Sequence, residues 1–124
     1  MTGTSAAVAG NVMVIGGGAA GLTAALVLAR ARHRVTVLDD QTHRNRTVDE
    51  FHGFPTRDAT APHRFRADAL SELDSYGVSI VHSAVAKAGS TDTVVSLSLA
   101  DGTTIQGDAL VLATGVHDEL PPVE

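Results

Sequence analysis

Blocks of apolar residues separated by glycine-rich or polar breaks predict that this chain alternates strands and helices. A short β-branched run at 12–15 is followed by the glycine-rich break 16–21, a small-residue segment long enough for about three helical turns, and a second apolar run at 35–38. Residues 11–40 therefore read as strand, glycine turn, helix and strand, which is the order of a complete βαβ unit.

A second helix and a third strand are predicted downstream. Apolar residues recur at helical spacing from Pro62, with Thr60 as a plausible N-cap, until Gly77 ends the segment. The core face of this helix is expected to comprise Phe65, Ala69, Leu73 and Tyr76. The run 78–82 follows directly and predicts a third parallel strand, so these segments make a second crossover.

The last part of the chain changes to an antiparallel pattern. Apolar residues alternate with serines at 95–99, Asp101-Gly102 is a hairpin-turn signal, and 103–106 is the returning strand. We expect this meander to cover one face of the sheet. The run 109–113 is apolar throughout, as in a strand buried on both faces, and it returns the chain to the main sheet.

The glycine turn carries the first candidate chemistry. Gly16 would allow a tight turn, Gly18 would let the backbone approach a pyrophosphate, and Gly21 would let the helix pack closely. Phosphates would then lie at the helix N-terminus, near its N–H groups and the positive end of its dipole. Asp39 ends the second strand and is placed to accept hydrogen bonds from a ribose. The pattern predicts dinucleotide binding; the alternative is a glycine-rich turn in an ordinary βα unit.

Composition narrows the classes of partner. The chain has 9 basic and 14 acidic residues, and its basic residues are mostly scattered, which argues against a nucleic-acid partner. It has no cysteine, which excludes disulfides, thiolate zinc sites and redox dithiols, and its histidines lack metal-ligand spacing. The apolar stretch 19–29 is too short to span a bilayer. We therefore expect a cytoplasmic protein with no metal site and no membrane or nucleic-acid partner.

Two separated motifs resemble a known family. The segment VIGGGAAGL with the acid Asp39, and the segment ALVLATG that ends in Ala113-Thr114-Gly115, resemble the FAD-binding part of the flavoproteins with two dinucleotide-binding domains. In that family the second motif lies against the first βα unit, near the cofactor pyrophosphate. The resemblance implies an α/β fold: a Rossmann-like βαβ domain with a parallel central sheet and an antiparallel β-meander, binding FAD in preference to NAD(P).

The middle of the chain narrows the resemblance to the thioredoxin-reductase-like branch of the pyridine nucleotide-disulfide oxidoreductases, which includes disulfide reductases and dithiol oxidases. The matching residues are DDQTHRNR at 39–46, HGFP at 52–55, Arg57-Asp58 and Pro62. The cofactor-binding residues so implied are Gly16, Gly18, Ala19, Ala20, Gly21, Asp39, Asp40, Arg44, Asn45, His52, Val85, Ala113, Thr114 and Gly115. None of them is a catalytic nucleophile or general base.

The resemblance also implies individual roles. Arg44 and Asn45 would face the adenosine and pyrophosphate, His52 would lie near the ribityl chain or flavin ring, and Val85 would offer backbone groups to the adenine. A planar guanidinium suits a pyrophosphate because it can pair with two oxygens at once. The alternatives are a surface ion pair of Arg44 with Asp40 or Asp49 and a packed loop position for His52.

Family members are longer than this chain. They continue past a proline-rich hinge into an NAD(P)H-binding domain, which carries a CxxC pair in the disulfide reductases, and then return to complete the FAD domain. We therefore expect a flexible tail at 1–10, the N-terminal part of an FAD-binding domain at 11–116 and an exit hinge at 117–124, incomplete at the C-terminal side. NAD(P)H would bind only through the missing domain, so the chain would not be catalytically complete alone.

Two other functions stay open. The strand 109–113 would lack its outer neighbour, so the chain could be a non-catalytic flavin- or nucleotide-binding module that pairs with a partner chain or with itself as a homo-oligomer. It could also be a small NAD-binding Rossmann domain, in which Asp39 would repel a 2′-phosphate. The substrate, and the choice between disulfide reduction and dithiol oxidation, are open as well.

Overall fold

The computed structural model describes residues 10–41 and 61–115. The elements in this part are β1 (Asn11–Ile15), α1 (Ala19–Arg30), β2 (Arg34–Leu38), α2 (Pro62–Ser75), β3 (Ser79–Val81), β4 (Val85–Ser90), β5 (Val95–Leu99), β6 (Thr104–Gly107) and β7 (Ala109–Leu112). The expectations for the tail, for the polar loop after Asp40 and for the hinge fall on 1–9, 42–60 and 116–124, outside the described residues.

A parallel sheet with the strand order β3-β2-β1-β7 forms one layer. β1 pairs in parallel with β2 on one side, where Asn11 lies opposite Arg34. On its other side it pairs in parallel with β7, where Val12 lies opposite Ala109. The short strand β3 pairs with β2, also in parallel. The predicted βαβ unit, the second crossover and the return of the last strand to the main sheet are all confirmed.

The core lies on both faces of this sheet. On one face, Val14 and Val37 pack with Leu22 of α1 and Leu73 of α2. On the other face, Met13 packs under Leu97 of the antiparallel sheet β4-β5-β6. The alternation that predicted the meander arises because its inward residues must cover the sheet while its serines face away. The α/β class and the covering role of the meander are therefore confirmed.

Two predictions about α2 were wrong. The N-cap is Ala61 rather than Thr60, and the helix begins at Pro62 with no capping hydrogen bond from a side chain; proline is favoured in a first turn, where its missing N–H has no intrahelical acceptor to lose. Tyr76 was expected in the core face but is 50% exposed, because the helix ends at Ser75 and the backbone turns away at Tyr76. Leu73 ends the buried face instead.

The last strand is less buried than predicted: Leu110 and Val111 pack against the clusters on opposite faces of the sheet, but only as partly buried residues. β7 was expected to be covered on both faces, yet Leu112 is 70% exposed. The cause is its position, since β7 is at the edge of the sheet and pairs with β1 on one side. The expectation that this strand lacks an outer neighbour agrees with that order among the described strands. Within residues 10–41 and 61–115, no helix is long and apolar enough to cross a membrane.

Candidate functional site

The carboxyl ends of the parallel strands meet at one edge of the sheet. The ladder continues one residue past each strand: the Gly16 N–H donates to the Leu38 carbonyl at 2.9 Å, and the Ala113 N–H donates to the Ile15 carbonyl at 2.8 Å. The Asp39 N–H donates to the Val81 carbonyl at 2.8 Å. The glycine turn, the acid and the Ala-Thr-Gly motif therefore lie side by side, where open parallel sheets bind ligands.

Backbone contacts explain two of the glycines. Gly16 has a φ of 114°, and a Cβ built there would lie 2.0 Å from the Ala113 carbonyl oxygen. A Cβ on Gly21 would lie 1.8 Å from the carbonyl oxygen of Gly16. The turn, the end of β7 and the first turn of α1 are thus packed backbone against backbone, so that no larger residue fits at either position.

The start of α1 is open to a ligand of opposite charge. Gly18 is the N-cap residue and has an ordinary extended conformation, with a φ of -79°. It has no side chain to cap the helix, and the first turn carries no acidic residue. The N–H groups of Ala19 and Ala20 lie in this first turn, where an α-helix has no internal acceptors. The positive end of the helix dipole at this point suits an anion.

Asp39 is the buried charge of the site. Its side chain is only 1% exposed, and one carboxylate oxygen, Oδ2, pairs with the Arg66 guanidinium. The other oxygen, Oδ1, accepts a hydrogen bond from the Gln41 N–H at 2.8 Å. Arg66 also donates to the Gly17 carbonyl, so a single side chain of α2 joins the acid to the glycine turn.

Gly17 provides the space for this carboxylate. A Cβ on Gly17 would lie 2.4 Å from Asp39 Cγ and 2.7 Å from Oδ1. No positive φ requires a glycine at this position. The residue is therefore small because the Asp39 carboxyl group packs directly on the turn.

Polar residues border Asp39 on its solvent side. Gln41 has a φ of 66°, which places its backbone N–H against the carboxylate, and its side-chain amide contacts His82 Nδ1 at 3.0 Å. His82 Nδ1 lies 3.9 Å from Asp39 Oδ2. Asp40 is exposed and follows directly in sequence.

The remaining expected site residues lie around this centre or outside the described part. Val85 begins β4 and packs against the cluster that contains Leu38, one residue before the acid. Thr114 and Gly115 are exposed directly after β7, and Gly115 has a φ of 75°. Arg44, Asn45 and His52 are outside the described residues. In 10–41 and 61–115, no group of three or more His, Cys, Asp or Glu side chains could hold a metal ion.

Sequence reasoning missed Gly17, Gln41 and Arg66. Gly17 was passed over because the fingerprint assigns no role to its middle position, and Gln41 acts through its backbone N–H, which no side-chain pattern reveals. Arg66 is 27 residues from Asp39 in the chain and 49 from Gly17. The one available signal was a basic residue beside Phe65 on the helix that follows β2.

Comparisons with known proteins give a consistent result. The family model described as pyridine nucleotide-disulphide oxidoreductase matches residues 10–124. A thioredoxin reductase of Gibberella zeae is 37% identical over 128 residues, covering 92% of this chain and 37% of the relative. Thioredoxin reductase tcpT of Claviceps purpurea is 41% identical over 116 residues, covering 87% and 35%. A crystal structure of a putative thioredoxin reductase TrxB from Bacillus anthracis superposes with a TM-score of 0.85 at 36% identity, covering 91% of this chain and 39% of that one.

Proposed function

The chain belongs to the pyridine nucleotide-disulphide oxidoreductase family and resembles thioredoxin reductases, and we propose that it forms the FAD-binding portion of such a flavin-dependent oxidoreductase. It spans 37% of the length of the Gibberella zeae relative. The observation that carries the FAD site is the contact of the Gly16 turn with the end of β7, beside the buried Asp39. An NAD-binding Rossmann domain needs the glycine turn but not the meander or the Ala113-Thr114-Gly115 motif.

The described residues fit the adenosine and pyrophosphate half of FAD. The pyrophosphate would lie at the N-terminus of α1, bound by the N–H groups of Gly18, Ala19 and Ala20. Asp39 would accept a hydrogen bond from the adenosine ribose. The absence of a Cβ at Gly16 and Gly21 keeps the turn close enough to β7 for the two motifs to share one ligand.

The other expected contacts stay proposals. Asp40, Ala113, Thr114 and Gly115 would lie along the cofactor, and Val85 would offer backbone groups to the adenine. Arg44, Asn45 and His52 would come from the loop after Asp40 and face the pyrophosphate, ribityl chain or flavin. The division into 1–10, 11–116 and 117–124 and a cytoplasmic location belong to the same proposal.

FAD supplies the hydride and electron chemistry, while the protein binds and orients it. In the whole oxidoreductase, we propose, reducing equivalents pass between NAD(P)H and a disulfide or dithiol by way of the flavin. The residues of this chain would bind and orient the cofactor. None of the described residues is proposed as a nucleophile or general base.

Titration of the purified chain with FAD tests this function. We expect a flavin absorption band to stay with the protein through gel filtration and the flavin fluorescence to change on binding at one site per chain. Gly16→Ala should abolish this binding, because it adds a Cβ 2.0 Å from the Ala113 carbonyl oxygen. Gly102→Ala is the matched control: its φ of 90° imposes a similar backbone strain, but nothing lies within 4 Å of the new Cβ. A chain that binds NADH and ignores FAD would instead support the NAD-binding reading.

A second proposal concerns the edge of the sheet. We propose that the outer edge of β7 pairs with another strand, from a partner chain or a second copy, because no described strand covers it and Leu112 is 70% exposed. Light scattering on the purified chain should give a mass above that of the 12.7 kDa monomer. Leu112→Lys should lower that mass by placing a charge on the edge. A wild-type monomer across the concentration range would contradict self-pairing.

A further inference from the structure

We propose that Arg66 is a positioning residue, which holds the Asp39 carboxylate ready for the adenosine ribose. This role presupposes the FAD site proposed above and adds to it a residue from α2, outside both sequence motifs. The chemical class of the ligand recognised is an adenosine nucleotide with a free 2′-hydroxyl, which is the group that the acid of this fingerprint binds.

The Arg66 guanidinium contacts two acceptors at the same time. One terminal nitrogen of Arg66, Nη1, donates to the Gly17 carbonyl, and the other, Nη2, pairs with Asp39 Oδ2. Its side chain is 17% exposed and that of Asp39 is 1% exposed, so most of this contact is shielded from water. A guanidinium is planar and has donors in a fixed fork, which sets the orientation of both acceptors together.

The second support is that the carboxylate has very little freedom. Gln41 donates its backbone N–H to Oδ1 at 2.8 Å, and the turn leaves no room for a Cβ at Gly17, which would lie within 2.7 Å of Asp39 Cβ, Cγ and Oδ1. With Arg66 on Oδ2, both oxygens are fixed, and rotation of the group would break a hydrogen bond on either side. Such prior orientation removes part of the entropy cost of binding a ligand.

The third support is that acceptor capacity remains. A carboxylate has about four acceptor positions, and Arg66 and Gln41 use one on each oxygen. A ribose hydroxyl would use one of the remaining acceptor positions, and the guanidinium would balance the buried charge in the free and the bound protein. Removal of Arg66 would free Asp39 to rotate and leave its charge without this partner.

The test compares ADP with 2′-deoxy-ADP, each competing against FAD for the purified chain. The wild-type protein should prefer ADP by about tenfold, as expected for a hydrogen bond to a charged group. Arg66→Met should reduce this preference to about twofold or less, and Arg66→Lys should recover part of it because an ammonium can still pair with Asp39. Arg64→Met, on the exposed face of the same helix, should keep the wild-type ratio.

The ratio of the affinities for ADP and 2′-deoxy-ADP distinguishes a positioning role of Arg66 from a purely structural one. A purely structural role for Arg66 would lower the melting temperature and leave the ADP preference unchanged, and that result would overturn the inference. Circular dichroism checks folding, and Arg66→Gln replaces the Met variant if the latter does not fold. In a double-mutant cycle with Asp39→Asn, the double variant should show no smaller preference than Asp39→Asn alone, since both changes act on one contact.

Failure of the proposed function gives a different result. If the wild-type chain binds neither FAD nor ADP, the FAD site itself is wrong and the role of Arg66 is lost with it. If the wild-type chain binds FAD but does not distinguish ADP from 2′-deoxy-ADP, the FAD site stands and the positioning role of Arg66 is overturned.

Discussion

Replacement of Gly17 by alanine tests the packing of Asp39 on the glycine turn. The new Cβ would lie 2.4 Å from Asp39 Cγ, whereas ordinary contacts begin at 3.4 Å, so the carboxyl group must move by about 1 Å. That shift strains the 2.8 Å hydrogen bond from Gln41 and the pair with Arg66. Overpacking of this kind costs about 1–3 kcal/mol, and we expect a loss of about 2 kcal/mol in the free energy of unfolding.

Thermal unfolding and FAD titration measure the two consequences of Gly17→Ala. For a domain of this size, about 2 kcal/mol lowers the melting temperature by roughly 6–10 °C. The affinity for FAD should fall by at least about tenfold, because the displaced acid no longer meets the ribose.

Gly89→Ala is the matched control for Gly17→Ala. Neither glycine has a positive φ, and nothing lies within 4 Å of a Cβ at Gly89. Its stability should therefore stay within about 0.5 kcal/mol of wild type, with unchanged affinity for FAD. Equal melting temperatures and affinities for the two variants would refute the contact between Asp39 and the turn.

Two further predictions concern stability away from the site. Arg32 follows the end of α1 with a φ of 70°, so Arg32→Gly should raise the free energy of unfolding by about 0.5–1 kcal/mol, measured by urea denaturation. Arg30→Gly, inside the helix, should instead lower the free energy of unfolding. If both variants are less stable than wild type, the positive φ at Arg32 does not cost stability. Hydrogen bonds from the Thr103 hydroxyl and then its N–H lower the pKa of Asp101 from 3.8. Because this folded-state pKa lies below that of the unfolded chain, the stabilisation is complete above about pH 4 and is lost as the pH falls through the lowered value. Thr103→Val should therefore be less stable than wild type at neutral pH, with a difference that shrinks in acid; a difference that grows in acid would contradict the sign.

Much of the fold was predictable because its signals are local. The β-branched run before Gly16 and the small residues after it specify a strand and a helix by periodicity alone. The alternation at 95–99 specified the meander for the same reason, since residues of one strand face the core at every second position. The edge position of β7 was predictable only from the resemblance, because the run itself looks like a central strand.

The site was less predictable because its key contacts join distant parts of the chain. Spacing placed Asp39 at the end of β2, but not the burial of its carboxylate against Gly17. Helical periodicity identified Ala69 and Leu73 as inward residues of α2, whereas Arg66 of the same helix reaches the acid only through tertiary packing. The prediction that Tyr76 lies in the core face was wrong for a related reason, because apolar spacing does not show where a helix ends.

A crystal structure of the chain grown with FAD would show whether the glycine turn and Asp39 bind the cofactor. We predict pyrophosphate oxygens within hydrogen-bond distance of the N–H groups at the start of α1 and a ribose hydroxyl on the Asp39 carboxylate, with Arg66 still paired to that acid. Density for FAD elsewhere on the protein, with the glycine turn and Asp39 free of the cofactor, would refute this binding site.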